Sequence, residues 1–89
     1  MPKFAIDYWV LSQGGRNMGG GLNHVAADAA RGAVGDLVAA KLALFESPRG
    51  HVVINAVDEI DEDTNQIVRK CDVASVIKGV KGAVAGDWE

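Results

Sequence analysis

Residues 3–11 read KFAIDYWVL, an alternation of two sets of side chains. Aromatic and β-branched residues dominate this stretch, which is typical of a β-strand. One set carries Trp9 and Leu11 beside Asp7. We therefore predict a strand over residues 3–11, and we expect the Trp9 face to be covered in part by another element or by a partner chain. The set predicted to face the core is Phe4, Ile6, Tyr8 and Val10.

The length and composition of the chain indicate one small folded domain. Its 89 residues are too few for a two-domain enzyme. The shares of hydrophobic residues, 48%, and of charged residues, 24%, argue against a wholly disordered chain. Because the formal net charge is −3, we expect no general binding to nucleic acid. We predict a single small α+β domain over residues 1–89.

Three features of the sequence predict a cytoplasmic protein. The single cysteine, Cys71, cannot form a disulfide within the chain. No apolar run approaches the roughly 20 residues that a membrane-spanning helix needs. The start Met1-Pro2-Lys3 lacks the apolar core of a signal peptide. We therefore expect no membrane partner.

A glycine-rich segment follows the first strand. Residues 12–21 contain five glycines, and glycine both loosens the backbone and adopts positive φ angles. This predicts a flexible loop over residues 12–21. The alternation of Leu22, His24 and Ala26 after it indicates a second strand that pairs back on the first as a hairpin. A helix that begins at Asn23 is the alternative.

The main helix is predicted over residues 29–46. Asp28 before it is a suitable N-cap, because its carboxylate can accept hydrogen bonds from the free amides of the first turn. The sequence SPRG at residues 47–50 should end the helix. Apolar side chains recur at helical spacing and form one stripe, which comprises Val34, Leu37, Val38, Leu42 and Phe45.

The second half of the chain is predicted to contain a β-hairpin. Residues 52–60 begin with β-branched side chains and read as a central strand. The cluster DEDTN at residues 61–65 is typical of a turn, and residues 66–73 alternate again. A helix capped at Asp63 or Thr64 is the alternative for the last segment.

Together these elements predict an α+β fold. A small antiparallel or mixed β-sheet is covered on one face by one main α-helix, and a short helix follows from Ala74. The main helix should connect the first strand to a parallel neighbour by a right-handed crossover. The predicted core combines side chains from strands and helix, namely Phe4, Ile6, Val34, Val38, Phe45 and Ile54.

No residue pattern indicates catalysis, a metal site or a cofactor. The glycines lack both the Lys-Ser/Thr of a phosphate loop and the G-x-G-x-x-G spacing. His24, His51 and Cys71 do not show metal-ligand spacing, and no Ser stands in a nucleophile elbow. We predict a protein that is not an enzyme, in which Cys71 is a small core residue and His51 is solvated.

The densest charge feature is DEIDED at residues 58–63, with five carboxylates in six positions. One interpretation is a solvated turn. The other is an acidic knob that docks into a basic groove of a protein that handles nucleic acid, with carboxylates in place of phosphates. In this hypothesis Trp9 and Arg16 also contact the partner, and the acidic contact residues are Asp58, Glu59, Asp61, Glu62 and Asp63.

Two other functions fit the residues. A structural homodimer would use the Trp9 and Leu11 face, or the free edge of the first strand. A weak nucleic-acid-binding domain would use a modest basic patch, formed by Lys3, Arg69, Lys70, Lys78 and Lys81.

In its layout the chain resembles the small accessory proteins of phages and mobile elements, among them anti-CRISPR proteins. It is short and opens with the aromatic strand FAIDYW at residues 4–9, followed by a glycine-rich loop, an alanine-rich helix and an acidic hairpin. The resemblance implies a non-enzymatic inhibitor or adaptor in the host cytoplasm. Its partner would be a host protein or ribonucleoprotein complex with a basic surface, without direct contact to nucleic acid.

Overall fold

A computed structural model describes residues 1–86 of the chain as an α+β fold, which confirms the predicted fold class. Strand β1 pairs with β2 on one side and with β3 on the other, both antiparallel, and β4 continues the sheet beyond β3. The elements in chain order are β1 Lys3–Leu11, β2 Asn17–Ala26, α1 Ala30–Leu44, β3 His51–Ile60, β4 Ile67–Cys71, α2 Val73–Ile77 and β5 Ala83–Ala85.

The crossover through α1 differs from the predicted one. Both neighbours of β1 are antiparallel to it, so the expected parallel neighbour of β1 is wrong. The helix instead connects β2 to β3, which run in the same direction on either side of β1. The reason is that β2 returns from β1 as a hairpin and occupies the position beside it before the helix begins.

The core lies between the sheet and α1. The alternation of β1 is confirmed, because its predicted inner set is buried against the helix side chains Val34, Leu37 and Val38. Five of the six predicted core residues are buried, and Phe45 is only half-buried. Phe45 follows the last residue of α1, and its ring extends over Gly19 of the edge strand rather than into the centre of the core.

The glycine-rich segment is largely a strand, so the loop predicted over residues 12–21 is too long. Only residues 12–16 form the turn between β1 and β2, and the glycines at 19–21 belong to β2. At Gly20 a Cβ atom would stand 2.5 Å from the Tyr8 carbonyl oxygen and 2.8 Å from Trp9 Cβ. Close approach to β1 therefore requires glycine here. The strand alternative for Leu22 to Ala26 is confirmed, and the helix from Asn23 is wrong.

The start of α1 also differs from the prediction. Ala29 is the N-cap residue, and no side chain donates or accepts a capping hydrogen bond there. The predicted Asp28 cap is wrong because the helix begins one residue later, which leaves the exposed Asp28 carboxylate before the cap position. The helix itself is confirmed, and it ends at Leu44 shortly before the predicted stop at residues 47–50.

The hairpin of β3 and β4 is confirmed, and the helix alternative for its second strand is wrong. The short C-terminal helix is α2, and neither helix within residues 1–86 has the length and apolar character needed to cross a membrane. Strand β5, which the sequence did not predict, pairs in parallel with Val52 to Ile54. Positive φ angles at Gly79 and Gly82 turn the chain from α2 back toward β3.

Candidate protein-binding surfaces

One face of the sheet carries no helix in the described part of the chain, because α1 and α2 both pack on the other side. By the register and the alternation of the strands, this open face contains Trp9, Leu11, Leu22, Val53 and Val84. Trp9 is half-buried and Val53 is buried, whereas Leu22 is 62% exposed. Within residues 1–86 no helix or further strand lies on this face. Its cover by another element or by a partner chain stays a prediction.

Asp7 lies at the centre of the open face, where a β-bulge explains how a charged residue is accommodated. The pairing of β1 and β3 shifts between Asp7 and Tyr8, and Asn55 is the extra residue of β3. The Asn55 side-chain amide donates a hydrogen bond of 3.3 Å to the Asp7 carboxylate. The bulge thus supplies Asp7 with a polar neighbour within an apolar surface.

The outer edge of β2 is unpaired among residues 1–86, since β2 ends the sheet. Its sequence NMGGGLNHVA contains no Lys, Arg, Asp, Glu or Pro, and Met18 and Leu22 are exposed on it. Charges and prolines are the usual protection of an edge strand against pairing with another chain. The predicted free edge of the first strand is wrong, because β1 is paired on both sides. The uncharged run in β2 is the signal that the sequence interpretation missed.

The acidic hairpin is built around Asp61, whose role is structural. Its carboxylate accepts hydrogen bonds from the backbone amides of Asp63 at 2.8 Å and Thr64 at 3.0 Å. These hydrogen bonds, the Thr64 bond foremost, hold the pKa of Asp61 below its usual value, and the charge of Lys3 acts in the same direction. Asn65 follows with a φ angle of 61°, as a tight turn requires.

Cations lie close to most of the other hairpin carboxylates. Glu59 forms an ion pair with Arg69 at 3.1 Å, and Glu62 lies 3.5 Å from the amino group of Met1. In the strand register, Asp58 stands opposite Lys70. The negative charge available to a partner at this hairpin is therefore smaller than its five carboxylates suggest, because nearby positive charges offset part of the field.

The structure divides the predicted contact residues between two ends of the sheet. The five acidic residues lie at the end where Lys3 pairs with Ile60, whereas Arg16 lies in the β1–β2 turn at the opposite end. Trp9 pairs with Val53, seven residues from Ile60 along β3, which corresponds to roughly 23 Å. No single site therefore contains the acidic residues together with Trp9 and Arg16.

The predicted basic patch is divided in the same way. Lys3 and the two cations of β4 lie beside the acidic hairpin, whereas Lys81 lies next to the start of β3 at the other end. His24 and His51 are exposed at opposite ends of the sheet, and Cys71 is half-buried against the core. Within residues 1–86, no three His, Cys, Asp or Glu side chains are grouped as metal ligands.

Comparison of the chain with protein families, with curated proteins and with solved structures found no match. A functional assignment has to come from the surfaces described above.

Proposed function

We propose that this chain is a small non-enzymatic protein-binding module whose contact surface is the outer edge of β2. The observation that carries the proposal is the ten-residue length of this edge together with its lack of charged residues and proline. An extended segment of a partner protein can add to such an edge as a further strand, with the main chain supplying hydrogen bonds. The module would act as an inhibitor or adaptor.

The open face supports this mode of binding. Leu22 projects from β2 opposite Asp7 and diagonal to Trp9 of β1, so a strand added at the edge would extend the same surface. Side chains of that added strand would pack against Leu22 as cross-strand neighbours. The expected partner segment is therefore extended, with apolar residues at alternate positions.

A charge on the edge strand tests the proposal. Leu22→Lys places a cation on an exposed position of β2, where burial by a partner strand would desolvate it. Leu44→Lys is the matched control, because Leu44 is 66% exposed on α1 and lies away from the edge. We expect wild type and Leu44→Lys to capture the same partner from host lysate, and Leu22→Lys to lose it.

Hydrogen exchange of the purified complex then locates the contact. Slower exchange in β2, Asn17–Ala26, supports strand addition. Capture by Leu22→Lys at the wild-type level, with no added protection in β2, would overturn the proposal. A second copy of the chain as the captured partner would identify the homodimer alternative.

A second candidate function uses the acidic hairpin to engage a basic surface of a nucleic-acid-handling complex, as an anti-CRISPR-like inhibitor would. It is favoured by the exposure of Glu62 and Asp63 at the tip of the hairpin. Glu62→Gln with Asp63→Asn removes two charges and keeps the Asp61 turn intact. We expect slower association at low salt and little difference at high salt, because screening removes long-range attraction.

The matched control for the hairpin variant is the double variant Asp28→Asn with Asp36→Asn. It changes the net charge by the same amount at two exposed positions. Asp28 lies just before α1, and Asp36 lies on it. Equal association rates for both double variants at every salt concentration would exclude the hairpin as the contact.

A further inference from the structure

A groove of about 470 Å³ lies on the helix side of the molecule, between α1 and the loops that precede β3 and β5. Its floor is apolar and includes Val38 and Leu42, with open space above Gly35. The volume falls in the range of small-molecule binding sites. The groove is remote from the β2 edge, because β5 lies on the far side of β3.

The backbone fixes the shape of this groove. Gly82 has a φ of +87°, and a Cβ atom there would stand 3.1 Å from Leu42 and 3.2 Å from Val38. The loop before β5 therefore lies directly on α1 and closes one wall. On the other wall, Gly50 is buried, and its amide donates a hydrogen bond of 2.9 Å to the Ser47 carbonyl.

The rim of the groove is basic. Arg49 and Lys81 are the two cationic residues that line it, and no acidic residue among residues 1–86 does so. His51 also borders the groove, but it pairs with Leu11, so its side chain lies on the open face of the sheet. Neither Arg49 nor Lys81 takes part in the ion pairs found among these residues. Two cations are thus gathered at one apolar groove, although the chain as a whole has a formal net charge of −3.

We propose that this groove binds a small amphipathic organic anion, of the class of aliphatic carboxylates. The apolar body lies on Val38 and Leu42, where its burial removes apolar surface from water. The carboxylate meets Arg49 and Lys81 at the rim, and the planar guanidinium suits a carboxylate well. An uncharged aliphatic chain has no anionic group for the basic rim, and a small inorganic anion has no apolar body for the floor.

The direct test is an NMR titration of the isotope-labelled protein with octanoate. We expect shifts confined to residues 35–42, 48–51 and 81–82, with octanol and inorganic phosphate binding at least about tenfold more weakly. Equal binding of octanol, equal binding of phosphate, or octanoate shifts spread over the whole surface would each overturn the proposal.

Two kinds of variant test the floor and the rim separately. Gly35→Leu fills the groove, because a Cβ atom at Gly35 meets nothing within 4 Å. Arg49→Gln with Lys81→Gln removes the rim cations, and the control Arg16→Gln with Lys78→Gln removes two exposed cations elsewhere. We expect each groove variant to weaken octanoate binding about tenfold or more, and the control to leave it unchanged. Binding by the rim variant as tight as that of its control contradicts the proposal even if Gly35→Leu fails to fold.

Discussion

Two glycines of this chain lie in opposite local environments, and substitution of each by alanine should change the stability of the protein in opposite directions. Gly35 lies inside α1 with open space around it, so Gly35→Ala should stabilise the protein by about 0.8–1 kcal/mol through helix propensity. Gly20 lies against the backbone of β1, so Gly20→Ala should destabilise it by about 1–3 kcal/mol. Denaturant unfolding measures both free energies. Changes of the same sign in the unfolding free energies of the two variants would contradict the local environments described for Gly35 and Gly20.

A second prediction at the residue scale compares the cost of truncating a fully buried core side chain with that of truncating a half-buried one. Ile6 is fully buried at the centre of β1, so Ile6→Ala should cost about 2–5 kcal/mol of unfolding free energy. Phe45 is half-buried over the edge strand, so Phe45→Ala should cost less than the roughly 3–5 kcal/mol of a buried phenylalanine. Equilibrium unfolding of both variants gives the order, and a larger cost for Phe45→Ala would place that ring in the core.

At the scale of the element, the β3–β4 hairpin should depend on pH through Asp61. Its folded-state pKa is lowered by hydrogen bonds from the Thr64 and Asp63 amides. The stability that ionisation supplies is therefore present above the unfolded pKa of about 3.9 and is lost as pH falls through the lower folded pKa. Asp61→Asn keeps an acceptor oxygen but cannot titrate.

We expect wild type to be more stable than Asp61→Asn above about pH 4 and to lose this advantage in more acidic solution. Unfolding by denaturant at a series of pH values measures the difference, and Asp63→Asn is the control because its carboxylate accepts none of the turn hydrogen bonds. A difference that stays constant down to the lowest pH would show that Asp61 does not act through its charge.

At the scale of the whole molecule, one core joins every element from β1 to β5. Strand β1 is paired on both sides, both helices pack on the same face, and β5 returns to β3. We therefore expect unfolding as one cooperative unit, with equal midpoints by tryptophan fluorescence and by circular dichroism. Ile6→Ala should lower both midpoints equally. Different unfolding midpoints by the two methods would show that parts of the chain unfold independently of each other.

The sequence by itself determined the strand β1, the main helix, the β3–β4 hairpin and the α+β class. These follow from side-chain period and turn chemistry, which are local properties that a short window of residues already contains. It also located the carboxylates of the hairpin, although not the cations that lie beside them.

Only the tertiary structure decided which segments meet. The glycines of β2 read as a loop because the close approach of Gly20 to β1 is a property of two strands and not of either one. Strand β5 is three residues long and exists through its pairing with β3, a segment distant in sequence. Arg49 precedes β3 and Lys81 precedes β5, so the two residues line the same groove only because β5 pairs with β3. Long-range pairing depends on the packing of the whole chain, and no local pattern records it.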